Sequence, residues 1–176
     1  IADMVGVELK IEPRKRYTFV FDCAEDLGRD VPLTIDPSGV HVRSDGDAYM
    51  AGCTPDIGPA VAYDDYEIDQ DIFEDKVWPA LVNRIPAFER IKIQTQWAGH
   101  YAHNDFDHNV IVGPHGDVAN FVLANGFSGH GVQQSPAIGR GVSELITYGE
   151  YRTLDLTSLG HARIVDGEPF IESAII

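Results

Sequence analysis

Gly126-Phe127-Ser128-Gly129-His130-Gly131-Val132-Gln133-Gln134 is the stretch on which the reading of this chain turns. Its glycines make a regular element there unfavourable. Beyond it Ile138, Val142, Leu145 and Ile146 recur at helical spacing up to Gly149, a residue suited to the C′ position. Ser135-Pro136 predicts an N-cap and N1 pair, with a start near Gly131 as the alternative. Glycine amides running into a helix N-terminus stabilise an anion or a developing negative charge. The order G-x-x-G-x-G is not the dinucleotide fingerprint, which needs G-x-G-x-x-G inside a βαβ unit and an acidic residue about 20 positions on. From its residues alone the loop is either a structural turn or a ligand cradle.

Upstream, the periods change twice. Arg14–Cys23 (RKRYTFVFDC) is aromatic and β-branched and predicts a strand opening after Pro13. Val31–Ile35, a turn at Asp36-Pro37-Ser38-Gly39, Val40–Arg43, a turn at Asp45-Gly46-Asp47 and Ala48–Cys53 predict an antiparallel meander. Thr54–Asp69 reads as an acidic surface loop. Ile72, Phe73, Val77, Trp78, Leu81, Val82 and Ile85 then follow helical spacing, with Asp69 or Asp71 as N-cap and a kink or break at Pro79. Strands are predicted at Glu89–Tyr101, Asn109–Val112 and Asn120–Ala124. Strands, helix, strands, helix in that order predict an α+β fold, a mostly antiparallel sheet with flanking helices.

The 176 residues carry 13 Lys+Arg against 28 Asp+Glu, a net charge of −15. That balance excludes nucleic acid as a partner, because such binding rests on cations neutralising phosphates. Anionic membrane surfaces are disfavoured likewise, and no apolar run of about 18 residues suggests a membrane span. Cys23 and Cys53 read as two buried, unbridged small hydrophobes, which points to a reducing, cytoplasmic setting. The chain opens Ile1-Ala2-Asp3 without Met, as a processed chain or a piece of a longer one would.

His100, His103, His108, His115 and His130 fall close together, with Asp105 and Asp107 among them. Imidazole and carboxylate suit zinc or non-haem iron. The spacing argues otherwise: His100 and His103 on one strand face opposite sides, and H-E-x-x-H is absent. No metal is expected.

The glycine loop with Gln133-Gln134, Pro136, Gly139 and Glu144-Leu145-Ile146 resembles the flavin-contacting loop of the D-amino-acid oxidase superfamily, which includes sarcosine, glycine and dimethylglycine oxidoreductases. Glu12-Pro13-Arg14-Lys15-Arg16-Tyr17, Asp75-Lys76-Val77-Trp78-Pro79 and Trp97-Ala98-Gly99 carry the resemblance along the chain, and Ile175-Ile176 resembles a native C-terminus. The resemblance implies a C-terminal half. Residues 1–12 would end an FAD-binding domain, 13–105 form a substrate-binding sheet domain, 106–153 return to the FAD-binding domain, and 154–176 be a tail. The partner would be an N-terminal FAD-binding half of the same chain, in a product about twice this length.

The implied cofactor is FAD, held by Gly126, Phe127, Ser128, Gly129, His130, Gly131, Val132 and Gln133. It would be noncovalent, since Gly99 stands where sarcosine oxidases carry the linking cysteine, and not tightly bound by this half alone. The implied reaction is oxidation of a C–N bond in a small amine or N-methyl amino acid by hydride transfer, with His100, Tyr101 and Gln133 on the substrate face. Tyr101 stands near the arginine that glycine oxidases use for the substrate carboxylate, and Gln133 replaces a lysine of sarcosine oxidases. The alternative implied by the resemblance is a flavoprotein with an assembly or scaffold role, as in respiratory complex I assembly. That would bring a respiratory-chain partner and a mitochondrial matrix setting.

Overall fold

The computed structural model describes residues 1–55, 58–118 and 120–173. Asp56 and Ile57 of the expected acidic loop, and the closing Ile175-Ile176, lie outside the described residues. The chain divides into two compact units, one of residues 14–100 and one of residues 1–13 with 101–175.

The unit of residues 14–100 is built on a five-stranded sheet. Its strands are β1 (Ile11–Cys23), β2 (Thr34–Ile35), β3 (His41–Asp45), β4 (Ala48–Cys53) and β5 (Ile91–Asn104), in the order β2-β3-β4-β1-β5. The β3–β4 hairpin pairs Asp45 with Ala48 across Gly46, whose φ of 62° supplies the positive angle a two-residue loop requires. β4 pairs antiparallel with β1, placing Phe19 opposite Ala51. Ala48–Cys53 keeps its expected bounds; β3 runs two residues later at its end, β5 shifts by two to three residues, and β1 and β2 differ for identifiable reasons. β1 opens at Ile11 and carries Pro13 through; its pairing with β4 begins only at Tyr17, so the missing proline N–H breaks none of those bonds. β2 shrinks to two residues because Pro32 cannot donate. Val31 bonds instead to Ser44, through its N–H to Oγ (2.8 Å) and its carbonyl from the Ser44 amide (2.8 Å).

Tyr17, Phe19 and Phe21 share one face of β1 by the strand's period of two, and all three are buried. The helical segment beginning at Asp71 covers that face with Phe73, Val77, Leu81 and Phe88. Phe19 meets Phe73 at 4.8 Å between ring centroids, and Phe21 meets Phe88 edge-on at 5.2 Å. Burying each such ring contributes about 1.5–3 kcal/mol. The expected interruption at Pro79 takes the form of a wider turn. Phe73–Val77 is π-helical, with the Trp78 amide reaching back to the Phe73 carbonyl, and α1 follows at Trp78–Arg84. Pro79 cannot donate to the Asp75 carbonyl and its ring crowds that group, so the turn widens just upstream. The Asp71 amide donates to Asp69 Oδ1 (3.1 Å) at the start. Both cysteines are unbridged, Cys53 buried and Cys23 half-buried.

In the other unit β6 (Ile111–Pro114) and β7 (Val122–Asn125) form an antiparallel pair, each opening two residues later than its sequence predicts. The backbone of residues 109 and 110 is committed to side chains instead: the Asn109 amide donates to Asp107 and the Val110 amide to Asn109 Oδ1. Asn120 sits at φ 65°, a turn conformation. α2 spans Gly131–Tyr148 and stops at Gly149, φ 78°. It starts near Gly131, so Pro136 lies inside the helix and is not N1. Val110, Val112, Ile138 and Leu156 form the core of this unit. Gly141 lets α2 approach the following segment, since a Cβ there would stand 2.5 Å from Leu156 Cδ1. The stretch from 154 onward, read in sequence as a tail, supplies the buried Leu156 and Arg163 to this unit, the latter from α3 (Ala162–Asp166). Among the described residues no helix is long and apolar enough to cross a membrane.

Candidate functional site

The glycine loop owes its path to three positive φ angles: Gly126 at 75°, Ser128 at 48° and Gly129 at 102°. Gly126 packs where a Cβ would stand 2.7 Å from Ile11 Cδ1, and Gly129 lies under the Tyr101 ring. These two glycines are therefore required by the fold of the chain itself. Gly131 is different. A Cβ there would make only ordinary contacts of 3.6 Å with Phe127, and its φ is not in the left-handed range. Nothing in the described chain demands a glycine at 131.

α2 begins directly on this loop. Its N-cap, His130, gives no side-chain cap hydrogen bond. The His130 amide donates to the Phe127 carbonyl (2.9 Å) and the Gln134 amide to the His130 carbonyl (3.0 Å). The His130 amide is thus spent within the loop, and Gly131, Val132 and Gln133 make up the open first turn of an 18-residue helix. Val132 and Gln133 are exposed. Gln134 Oε1 is buried with no hydrogen-bond partner among the described residues. Positive helix end, open amides, a glycine the chain does not need and an acceptor awaiting a donor together suit a planar group that carries N–H and gathers negative charge. These residues fit a flavin.

The other expected site residues fall as follows. Tyr101 packs on Gly129, within the unit that holds the loop. His100 precedes it on β5, so the two side chains leave opposite faces of the strand. His100 Nε2 lies 2.7 Å from the Asp65 carbonyl and its ring stacks on Tyr66 at 4.4 Å. Gln133 is in the first turn of α2. His103 pairs with His108 (4.9 Å between centroids) and His115 with His161 (4.6 Å). Among the described residues no three His, Cys, Asp or Glu side chains come together as a metal-holding group.

Sequence reading alone missed what holds the loop. Ser128 is fully buried and its Oγ accepts the Asn104 amide (3.0 Å), while its own amide donates to the Ala102 carbonyl (3.1 Å). Asp107, counted in sequence among the histidines, is instead buried against Arg163, Nε to Oδ2 at 2.6 Å. Burial pushes the Asp107 carboxyl up, but Arg163 and the amides of Phe170 and Asn109 outweigh it and leave it below the usual carboxylate range. At the far end of α2 Glu144 is held down to about 2 by the Thr153 hydroxyl, the Arg152 amide, Arg140 and the Thr153 amide. Apart from the local Asn109–Asp107 and Arg140–Glu144 contacts, no spacing rule signals these partners, which stand 8 to 63 residues apart.

The family described as "DAO: FAD dependent oxidoreductase" matches residues 1–145. FAD-dependent oxidoreductase domain-containing protein 1 of Xenopus laevis is 45% identical over 173 residues, 97% of this chain and 35% of the relative. The chain thus spans about a third of the length of the curated relatives it matches, less than the half expected from sequence. L-proline dehydrogenase from P. horikoshii superposes with a TM-score of 0.84 at 28% identity, over 96% of this chain and 45% of that one. Glycine oxidase from Geobacillus kaustophilus shares the fold at 18% identity, with a TM-score of 0.70 over 90% of this chain and 41% of its own. The family match over residues 1–145 joins the loop, the helix end and the antiparallel sheet, and the chain belongs to the DAO family of FAD-dependent oxidoreductases.

Proposed function

We propose that the whole protein oxidises a C–N bond of an amine or N-methyl amino acid, and that this chain supplies the substrate-side sheet and part of the flavin contact. The observation that carries the reading is the uncapped start of α2 at Gly131-Val132-Gln133, entered from a buried, positive-φ loop. When bound, FAD supplies the two-electron acceptor for a hydride from the carbon next to nitrogen. This chain's residues do the rest. The amides of Gly131, Val132 and Gln133 and the positive end of α2 favour negative charge at the group they face. Gly126–His130 shape the loop, and Tyr101 and Gln133 present a neutral, polar surface toward the substrate. Residues 13–105 serve as the substrate domain, and 1–12 with 106–153 as part of the FAD-binding domain. FAD is noncovalent through this chain, and the isolated chain does not hold it tightly.

The test uses the full-length protein under anaerobic conditions, with a panel of secondary amines and N-methyl amino acids. Bleaching of the flavin absorbance by one class supports the reading and names the donor. A second reading is a flavoprotein kept for assembly, with a respiratory-chain partner. One observation favours it: positions 101 and 133 carry Tyr and Gln, so neither offers a cation to a carboxylate. Bound flavin that no amine reduces, together with a stable partner protein, selects that reading instead.

A further inference from the structure

Asp107 and Arg163 form an ion pair whose side chains are 0% and 6% exposed. Taking two charges out of water costs several kcal/mol each, and such pairs are weak sources of stability. This one is bonded throughout. Arg163 Nη2 reaches Asp107 Oδ1 (3.0 Å) and the carbonyls of Asn109 and Val110, and Nη1 reaches those of Leu159 and Gly160. Asp107 also accepts from Asn104 Nδ2 (2.8 Å) and from the amides of Asn109 and Phe170.

Asn104 carries that rigidity onward. Its Nδ2 also bonds the Asn109 carbonyl (2.7 Å), its Oδ1 accepts the Phe106 amide, and its own amide ends on Ser128 Oγ. Ser128 is held in a left-handed conformation that a non-glycine residue adopts only when its surroundings impose it. Three residues later α2 begins.

We propose that Ser128, locked through Asn104 to the Asp107–Arg163 pair, is a positioning residue that sets the direction of the Gly131, Val132 and Gln133 amides toward the flavin. The proposal rests on the flavin reading above. Without the Asn104–Ser128 bond the loop turns more freely, and the first turn of α2 aims less well at the group it faces. Charge on the reduced flavin then loses more than the neutral oxidised form does.

The experiment compares full-length wild type with Ser128→Ala and Asp107→Asn. FAD affinity is followed by flavin fluorescence, the midpoint potential by dye equilibration and the apo-protein by thermal unfolding. Ser128→Ala is expected to weaken FAD about tenfold, the equivalent of one buried hydrogen bond, and to make the potential more negative. Asp107→Asn is expected to shift the potential the same way; if it fails to fold, Ser128→Ala carries the test. A merely structural role would lower the unfolding temperature and leave the potential of the remaining bound flavin unmoved, and that result overturns the proposal. If wild type binds no FAD the flavin reading has failed, and the positioning proposal falls with it. If wild type binds FAD and the variants match it in affinity and potential, only the proposal falls.

Discussion

The Tyr101 ring lies over Gly129 so closely that a Cβ at 129 would stand 2.5 Å from its Cε2 and 3.0 Å from its Cδ2. The glycine also sits at φ 102°, where an L side chain is strained. The end of β5 and the entry to α2 are thus fitted to each other through one missing methyl group.

Gly129→Ala should therefore destabilise the protein by about 2–4 kcal/mol, from overpacking and backbone strain together. Gly139 provides the control. It lies within α2 with nothing inside 4 Å of its would-be Cβ, so Gly139→Ala should add up to about 1 kcal/mol through helix propensity alone. Urea denaturation of both variants checks the pair. Equal effects would mean the Tyr101 contact is not made.

Pro136 leaves the Val132 carbonyl without its helical donor, and Ser135 Oγ donates to that carbonyl at 3.0 Å. Ser135→Ala is expected to cost about 0.5–1 kcal/mol in the native background. With Pro136→Ala in place the backbone N–H returns and the cost should fall to near zero. A double-mutant cycle of thermal unfolding reads the coupling directly; additive effects would remove the inferred substitution of donor.

Acid stability should decline in two stages. Burial holds the His41 imidazole below its ordinary range, against an opposing bond from Gly39. His161 is lowered first by burial, then by His115 and Arg163. A histidine depressed in the folded state is protonated more readily in the unfolded one, so its contribution is full above about pH 6.5 and is lost as the pH falls below that. Glu144 and Asp36, each lowered to about 2, contribute above the unfolded carboxylate range and lose that contribution as the pH falls toward 2. Unfolding temperature measured from pH 8 to pH 2 should show both falls. Glu144→Gln should flatten the lower one, and His41→Gln the upper.

Some of this architecture was written locally. Asp36–Gly39 and Gly46 set their turns through side-chain and φ requirements confined to a few residues, so Ala48–Cys53 begins and ends where its sequence says. Gly149 stops α2 for the same reason, and alternation along Tyr17, Phe19 and Phe21 chose the buried face of β1. The glycine loop, with the stretches that resemble the same superfamily, made the family readable.

What the sequence by itself determined is thus the α+β class, the turns and the glycine loop, because each depends on neighbours within a few residues. Of the expected α2 stripe Ile138 is buried, but Ile146 is exposed and Glu144 takes a buried place instead. The tertiary structure decided the rest. Whether α2 began at Pro136 or near Gly131 was settled with Ser135 replacing the donor that Pro136 lacks. β6 opened late because side chains had claimed the backbone before it, and β7 because Asn120 turns at φ 65°. Asp107 became the buried partner of Arg163, 56 residues away, and not a member of a histidine cluster. A partner that distant leaves no period or spacing to read; only folding brings it close enough for hydrogen bonds to offset the loss of water.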